Sequence, residues 1–315
     1  MTEELWQHGF AQLADVKLHY VTAGSGPLVI LLHGFPEFWH SWRHQFPALA
    51  QHFTVVAPDL RGFGDSDKPS SIASYRLDRL THDVLGLLQH LGTDRCSLVG
   101  HDWGGAIAWA FAADFPGNVE RLAILNCPHQ AIFARHLLRN FRQFRRSWYM
   151  FFFQLPWIPE YAILRDPMVF ARRSFRGASV NKEAFPLEEL KLYADAISRP
   201  GAARGGLNYY RAGIRDLFSG RFKRMPPIQC DTTLIWGLDD PALGQELTDG
   251  LESHVRGRLE KRFIPSCGHW VQQERPELVN KHLLEFLLPA PTATAVDVRS
   301  SAPTAPSGPL PATSC

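Results

Sequence analysis

The run Val99-Gly100-His101-Asp102-Trp103-Gly104-Gly105 constrains this chain more than any other. A short apolar run, Cys96-Ser97-Leu98-Val99, leads into it, and a helical run, Ala106 to Ala113, leads out. It therefore reads as strand, sharp turn, helix. Small residues stand two before Asp102 and two and three after it. A tight strand-to-helix turn needs them there, because a side chain would meet neighbouring backbone. The turn pushes one side chain out of the sheet at the helix N-terminus. Here that side chain is a carboxylate rather than a hydroxyl. Taken alone, the pattern is equally a glycine-rich turn without chemistry.

Three other stretches change that balance. His33-Gly34-Phe35-Pro36 follows the apolar run Leu28-Val29-Ile30-Leu31-Leu32. Trp236-Gly237-Leu238-Asp239-Asp240 follows strand-like Thr232 to Ile235, and Cys267-Gly268-His269-Trp270 follows strand-like Leu259 to Ile264. The order is oxyanion loop, nucleophile turn, acid, histidine, each just after a strand. That is the chain order of the α/β-hydrolase triad.

Along the chain, residues 5–32 alternate polar and apolar around Gly24-Ser25-Gly26-Pro27, predicting hairpin-like strands that feed a buried strand at 28–32. Phe53 to Asp59 is the next strand, and Arg61 to Pro69 a loop. Leu77, Leu80, Val84, Leu87, Leu88 and Leu91 recur at helical spacing, with Gly92 as the stop. Arg121 to Asn126 is another buried strand. Strands alternating with helices imply a mostly parallel sheet covered on both faces. The alternation breaks from Pro128 to Pro227, where aromatic and Arg-rich helical patterns replace strands, and resumes at Thr232, ending in a helix over Pro276 to Leu288. The expected organisation is an α/β core of residues 1–127 and 228–289, an inserted helical cap of 128–227, and a tail of 290–315. That tail is rich in Pro, Ala, Thr and Ser, too poor in apolar residues to fold, and expected to be disordered.

Composition excludes several functions. Apolar residues make up 45% of the 315, enough for a sizeable core, while a net charge of +2 is too weak to argue for nucleic acid. The Arg-rich stretch from Arg135 to Arg146 reads as a solvated helix face. The five cysteines have no paired metal-ligand spacing, so no metal and no structural disulfide is expected, and a reducing, cytoplasmic compartment follows. Met1 to Glu4 is acidic and lacks the apolar segment of a secretory signal. No run of about 18 apolar residues exists, and Trp148 to Ile158 is too short and interrupted by Gln154 and Pro156, so no membrane span is expected.

An elbow carrying Asp, with His-Gly-Phe-Pro upstream, resembles the epoxide hydrolases of the α/β-hydrolase superfamily, over about residues 10–288. His33-Gly34-Phe35-Pro36-Glu37 followed by Ser41-Trp42-Arg43, Arg61-Gly62-Phe63-Gly64-Asp65-Ser66 and Asn208-Tyr209-Tyr210-Arg211 also look like that family. The resemblance implies two cap tyrosines that hydrogen-bond the epoxide oxygen. One lies in an Asn-aromatic-Tyr-Arg motif, which selects Tyr210, with Tyr209 as its rival. The other precedes an aromatic run ending in Gln and Pro, which Ser147 to Pro156 matches, selecting Tyr149. It also sets the acid three residues after the glycine of Trp-Gly, which selects Asp240 over Asp239.

The chemistry implied is attack of Asp102 on an epoxide carbon, proton donation by Tyr149 and Tyr210, and hydrolysis of the resulting ester by water that His269 activates while Asp240 holds the imidazole. Tyrosine, with a pKa of about 10, is protonated at neutral pH yet far more acidic than an alcohol. Backbone N–H groups of Phe35 and Trp103 would hold the oxyanion. Only His269 among the histidines falls in the loop after the last strand; His33 and His101 read as structural members of their turns. A tight turn would allow a cis Phe35–Pro36 bond. Trp148, Phe151, Phe152, Phe153, Leu155, Trp157 and Trp270 are the candidates for an apolar lining. The partners implied are a small apolar epoxide and water, with no cofactor, and a homodimer remains compatible with this reading. A haloalkane or haloacid dehalogenase would share Asp102, His269 and the cap, but its leaving halide needs Trp or Asn N–H donors rather than tyrosine acids. A ligand-binding protein without catalysis would not need all five groups together, and an Asp at the elbow disfavours a serine esterase.

Overall fold

A computed structural model describes residues 6–288. The tail expected to be disordered, 290–315, lies outside the described residues, as does Cys315. Eight strands form one sheet: β1 (Gln7–Gln12), β2 (Lys17–Ala23), β3 (Leu28–Leu32), β4 (Thr54–Pro58), β5 (Cys96–His101), β6 (Val119–Leu125), β7 (Asp231–Gly237) and β8 (Leu259–Ile264). Their order is β1-β2-β4-β3-β5-β6-β7-β8. β1 with β2 and β2 with β4 pair antiparallel, and every later pairing is parallel. The sheet is therefore the mostly parallel one that the alternation of strands and helices predicts. The lateral order goes beyond what the sequence reading specified. β2 does not lie beside β3, into which it runs, because β4 sits between them and gives β3 a parallel neighbour on each side.

The central strands are nearly continuous apolar runs because both faces are covered. Period-two alternation divides them. Ile30, Leu32, Val56 and Leu98 face a core shared with helices α2 (Leu77–His90) and α3 (Trp103–Asp114). Val29, Leu31, Val55 and Val99 face a core shared with the short α1 (Phe46–Leu49) and the C-terminal α12 (Pro276–Leu287). Helix α3 has buried residues on every side, as befits a helix wedged between the sheet and the layers above it.

Between β6 and β7 the chain runs through seven helices: α4 (Gln130–Arg139), α5 (Phe141–Arg146), α6 (Trp148–Phe152), α7 (Ile158–Arg165), α8 (Pro167–Phe175), α9 (Leu187–Ser198) and α10 (Ala202–Phe218). Most are short. Pro167 starts α8 within its first turn, and Trp157 stands at φ 58° before α7. The long α10 approaches the loops at the strand ends closely. A Cβ on Gly206 would lie 2.5 Å from the Phe35 ring, so only glycine lets this helix sit there. Phe175, Phe185, Leu190 and Tyr193 form a small separate core that seats Trp270. A four-residue helix, α11 (Val271–Glu274), follows the last strand and its loop.

Candidate active site

The elbow forms as its residues require. Asp102 caps α3 at φ 49° and ψ −119°, a conformation an L residue adopts only when its surroundings enforce it. What enforces it is the close approach on both sides: a Cβ on Gly104 would run into the Leu32 carbonyl. The carboxylate is thereby thrust past the sheet edge at the N-terminus of α3, where the helix dipole favours negative charge. Its Oδ1 accepts a hydrogen bond from the Phe35 N–H at 2.9 Å. The Phe35–Pro36 peptide is cis.

His269 Nε2 lies 3.6 Å from Asp102 Oδ2, and His269 Nδ1 lies 2.6 Å from Asp240 Oδ2. Asp240 is buried and has further donors: Asn126 Nδ2 at 2.8 Å and the backbone N–H groups of Ala242 and Leu243 at 2.8 and 2.9 Å. Asp239 is exposed and turns no side chain to the imidazole. Burial pushes the acidity of Asp102 and Asp240 down, but the imidazole between them outweighs it and holds both below the usual carboxylate value. Burial likewise disfavours the imidazolium, yet Asp240 and Asp102 together raise His269 well above its ordinary value. The two carboxylates thus favour the protonated imidazole between them.

Tyr149 on α6 and Tyr210 on α10 face Asp102 from above. All three line a cavity of about 820 Å³, with His269, Trp270, Phe152 and Trp148. They also line a narrower apolar cavity of about 100 Å³ that continues past Trp103 toward Leu137 and Leu243. The two tyrosine rings are 5.8 Å apart, and Tyr210 packs edge-on against Trp103 at 5.1 Å and Phe35 at 5.4 Å. Burial, and then the charge of Asp102, raises both hydroxyls above the ordinary tyrosine value, so both are protonated at any working pH. Tyr209 points the other way: its hydroxyl donates to the buried Arg61 carbonyl at 2.8 Å.

Several expected lining residues lie elsewhere. Phe151 is exposed and packs on Phe144 at 5.2 Å, outside both cavities, and Leu155 and Trp157 are exposed as well. Short, broken helices made almost wholly of apolar residues have no polar face to mark which side is inside. His33 is neutral and structural, since Leu60 N–H donates to its Nε2 at 3.0 Å and burial depresses its pKa.

Other contributors carried no local signal. Arg211 reaches the Phe153 and Leu155 carbonyls at 3.0 and 2.8 Å and pairs with Glu160 at 2.7 Å, tying α10 to the segment bearing Tyr149. Glu37 accepts from Gly34 N–H, faces His101 Nδ1 at 2.8 Å and accepts from Gln272 and Gln273. His101 Nε2 in turn donates to the His269 carbonyl at 3.0 Å. Glu274 accepts from Gly268, Val180 and Asn181 N–H groups at 3.0, 2.8 and 3.0 Å, and His269 N–H donates to the Ala178 carbonyl at 2.8 Å. Apart from Gly34–Glu37 and Gly268–Glu274, the partners are 51 to 236 positions apart, so spacing does not reveal them. Among the described residues, no helix is long and apolar enough to cross a membrane, and Cys96, Cys127, Cys230 and Cys267 are free thiols.

Comparison with known proteins places this arrangement. The α/β-hydrolase fold family matches residues 27–276. The chain is 36% identical to human Epoxide hydrolase 4 over 291 residues, 90% of this chain and 79% of that one. It is 38% identical to Epoxide hydrolase 1 of Caenorhabditis elegans over 292 residues, 90% of this chain and 71% of that one. The crystal structure of a Bacillus megaterium epoxide hydrolase in complex with an inhibitor superposes with a TM-score of 0.81 at 33% identity, covering 89% of this chain and 99% of the other.

Proposed function

This chain belongs to the α/β-hydrolase fold family and is an epoxide hydrolase, and from that premise we propose that it turns apolar epoxides into vicinal diols through a covalent ester on Asp102. The observation that carries this reading is the pair Tyr149 and Tyr210 facing Asp102 across one cavity. It supplies a carbon nucleophile and two oxygen acids to one small molecule. We read residues 128–227 as the cap that roofs the site over a core of 1–127 and 228–289, and we place the protein in the cytoplasm.

In the first step Asp102 attacks a ring carbon, the C–O bond breaks, and the departing oxygen takes a proton from Tyr149 or Tyr210. The ester has no charge. His269 thus loses one of the two carboxylates that raised it. Its proton becomes free to reload the tyrosinate through solvent, which leaves a neutral imidazole. In the second step that imidazole takes a proton from water, and hydroxide attacks the Asp102 carbonyl carbon. The oxyanion rests on the N–H groups of Phe35 and Trp103; as it collapses the ester C–O bond breaks, the alkoxide takes the proton of the newly added hydroxyl, and the diol leaves Asp102 as a carboxylate. Asp240 stabilises the imidazolium that forms again. Epoxide and water are consumed and every protein group returns to its starting charge. The same charge accounting explains why an imidazolium at rest is no obstacle: a base is needed only after Asp102 is esterified.

The test is the intact mass of the His269→Gln protein after incubation with epoxides and, separately, with haloalkanes. A whole-epoxide adduct on a peptide containing Asp102, absent in Asp102→Asn, is the expected result. An adduct lacking the halogen would make the protein a dehalogenase. No adduct with an epoxide that the unmodified enzyme hydrolyses would mean that His269 has another role.

A further inference from the structure

Helices α4, α5 and α6 carry an apolar stripe on the wrong side. Leu138 on α4, Phe141 and Phe144 on α5, Trp148 and Phe151 on α6, and Leu155 in the turn after it are all exposed. The stripe is continuous from α5 to α6, where Phe144 packs at a tilt against Phe151 at 5.2 Å. Scattered apolar residues on a surface are ordinary, but a contiguous run of this kind marks a docking face.

Charge says what docks there. From Cys127 to Pro159 the chain has five arginines and no Asp or Glu. Arg139, Arg142 and Arg145 are exposed, and among the described residues none of them sits in an ion pair. Two copies meeting through this face would set arginines against arginines, which disfavours a self-docked pair. A surface that offers both acyl chains and negative charge satisfies aromatic and arginine side chains together. Trp148 belongs to the stripe and also lines the mouth of the 820 Å³ cavity, along with Arg146, Arg165 and Arg173. The mouth therefore opens beside the patch.

We propose that this face docks on anionic phospholipid bilayers and brings the cavity mouth against the membrane, from which an apolar epoxide enters. The last clause rests on the epoxide reading above; the docking itself does not.

The test is flotation of the full chain with phosphatidylcholine vesicles and with phosphatidylcholine–phosphatidylserine vesicles, at low and high salt. The expected result is binding that needs phosphatidylserine and weakens with salt. Arg139→Glu/Arg142→Glu/Arg145→Glu should weaken it at least roughly a hundred-fold, from about five-fold per arginine lost. Phe141→Ser should weaken it roughly ten-fold. Both variants should turn over a water-soluble epoxide at the unmodified rate, while turnover of a vesicle-dissolved epoxide falls with binding. Equal binding to both vesicles, no binding, or binding indifferent to the triple reversal would each overturn the proposal. So would a dimer in light scattering that Phe141→Ser disperses, since the patch would then be a contact between copies. A protein that floats as expected yet hydrolyses no epoxide would sink the catalytic reading and leave the docking standing.

Discussion

The site is built from two regions that hold their residues by different means. The sheet side fixes Asp102, Asp240 and His269 through backbone geometry and hydrogen bonds: an enforced φ, close glycine contacts, and a carboxylate–imidazole–carboxylate chain. The helical side fixes Tyr149 and Tyr210 largely by packing, ring against ring, with Arg211 and Glu160 bracing the two elements from behind. The difference teaches that the two regions should fail differently. Damage to the first should stop one chemical step outright. Damage to the second should grade the rate of ring opening and the choice of substrate.

The largest expected effect tests the first half. Asp240→Asn leaves His269 without the charge that stabilises its imidazolium, and turnover should fall about 10⁴-fold with ester accumulating; stopped-flow traces showing fast ester decay would break the comparison. Next, Tyr210→Phe should slow ester formation roughly 10²–10³-fold at unchanged stability. Tyr209→Phe should do the reverse, leaving the Arg61 carbonyl unpaired and costing about 1–3 kcal/mol with ester formation nearly untouched. If the two variants exchange these phenotypes in single-turnover and denaturation measurements, the assignment to Tyr210 is wrong. A third expectation concerns pH. His269 is raised in the folded protein, so its contribution to stability is complete below its unfolded value and disappears as pH rises through the folded one. The Tm gap between the unmodified protein and His269→Gln should therefore be widest in mildly acidic buffer, while Asp102 and Asp240 are still ionised, and should close toward alkaline pH. A gap that widens with pH would mean a neutral imidazole at rest. The smallest effect sharpens the second half: toward a water-soluble epoxide, Phe151→Ala should change kcat/KM less than about two-fold, because the ring lies outside both cavities, whereas Phe152→Ala should shift KM.

The same division governs what could be read from residues alone. Buried parallel strands declare themselves as unbroken apolar runs, so β3 to β7 and the elbow were legible. Their lateral order was not, since β4 reaches its place beside β2 through a crossover that adjacent sequence does not encode. In the site, Asp102 and His269 were legible because glycines and strand ends frame them. The choice of Asp240 over Asp239 rested on resemblance, and the geometry adds a reason: only Asp240 meets the imidazole and the Asn126 amide. Asn126, Glu160 and Glu274 gave no signal, because each acts on a partner far away in the chain. The aromatic run from Trp148 to Trp157 misled because it is apolar on every side, and only the packed structure sorts Phe152 inward and Phe151 outward.

The Glu274 bonds described above have a mechanical meaning. One carboxylate grips the loop that carries His269 and, with its other oxygen, the backbone at Val180 and Asn181 in the helical segment. The helical segment is held at a second corner as well: buried Gln143 on α5 donates to the Ala242 carbonyl and accepts from the Gly244 N–H, in the loop that carries Asp240. Held at both loops, the segment should keep Asp240 and His269 in register. Hydrogen exchange would record this as late exchange near residues 178–181 and 143–147 relative to the rest of the segment. Two such clamps let the remainder of the segment breathe without detuning the groups beneath it.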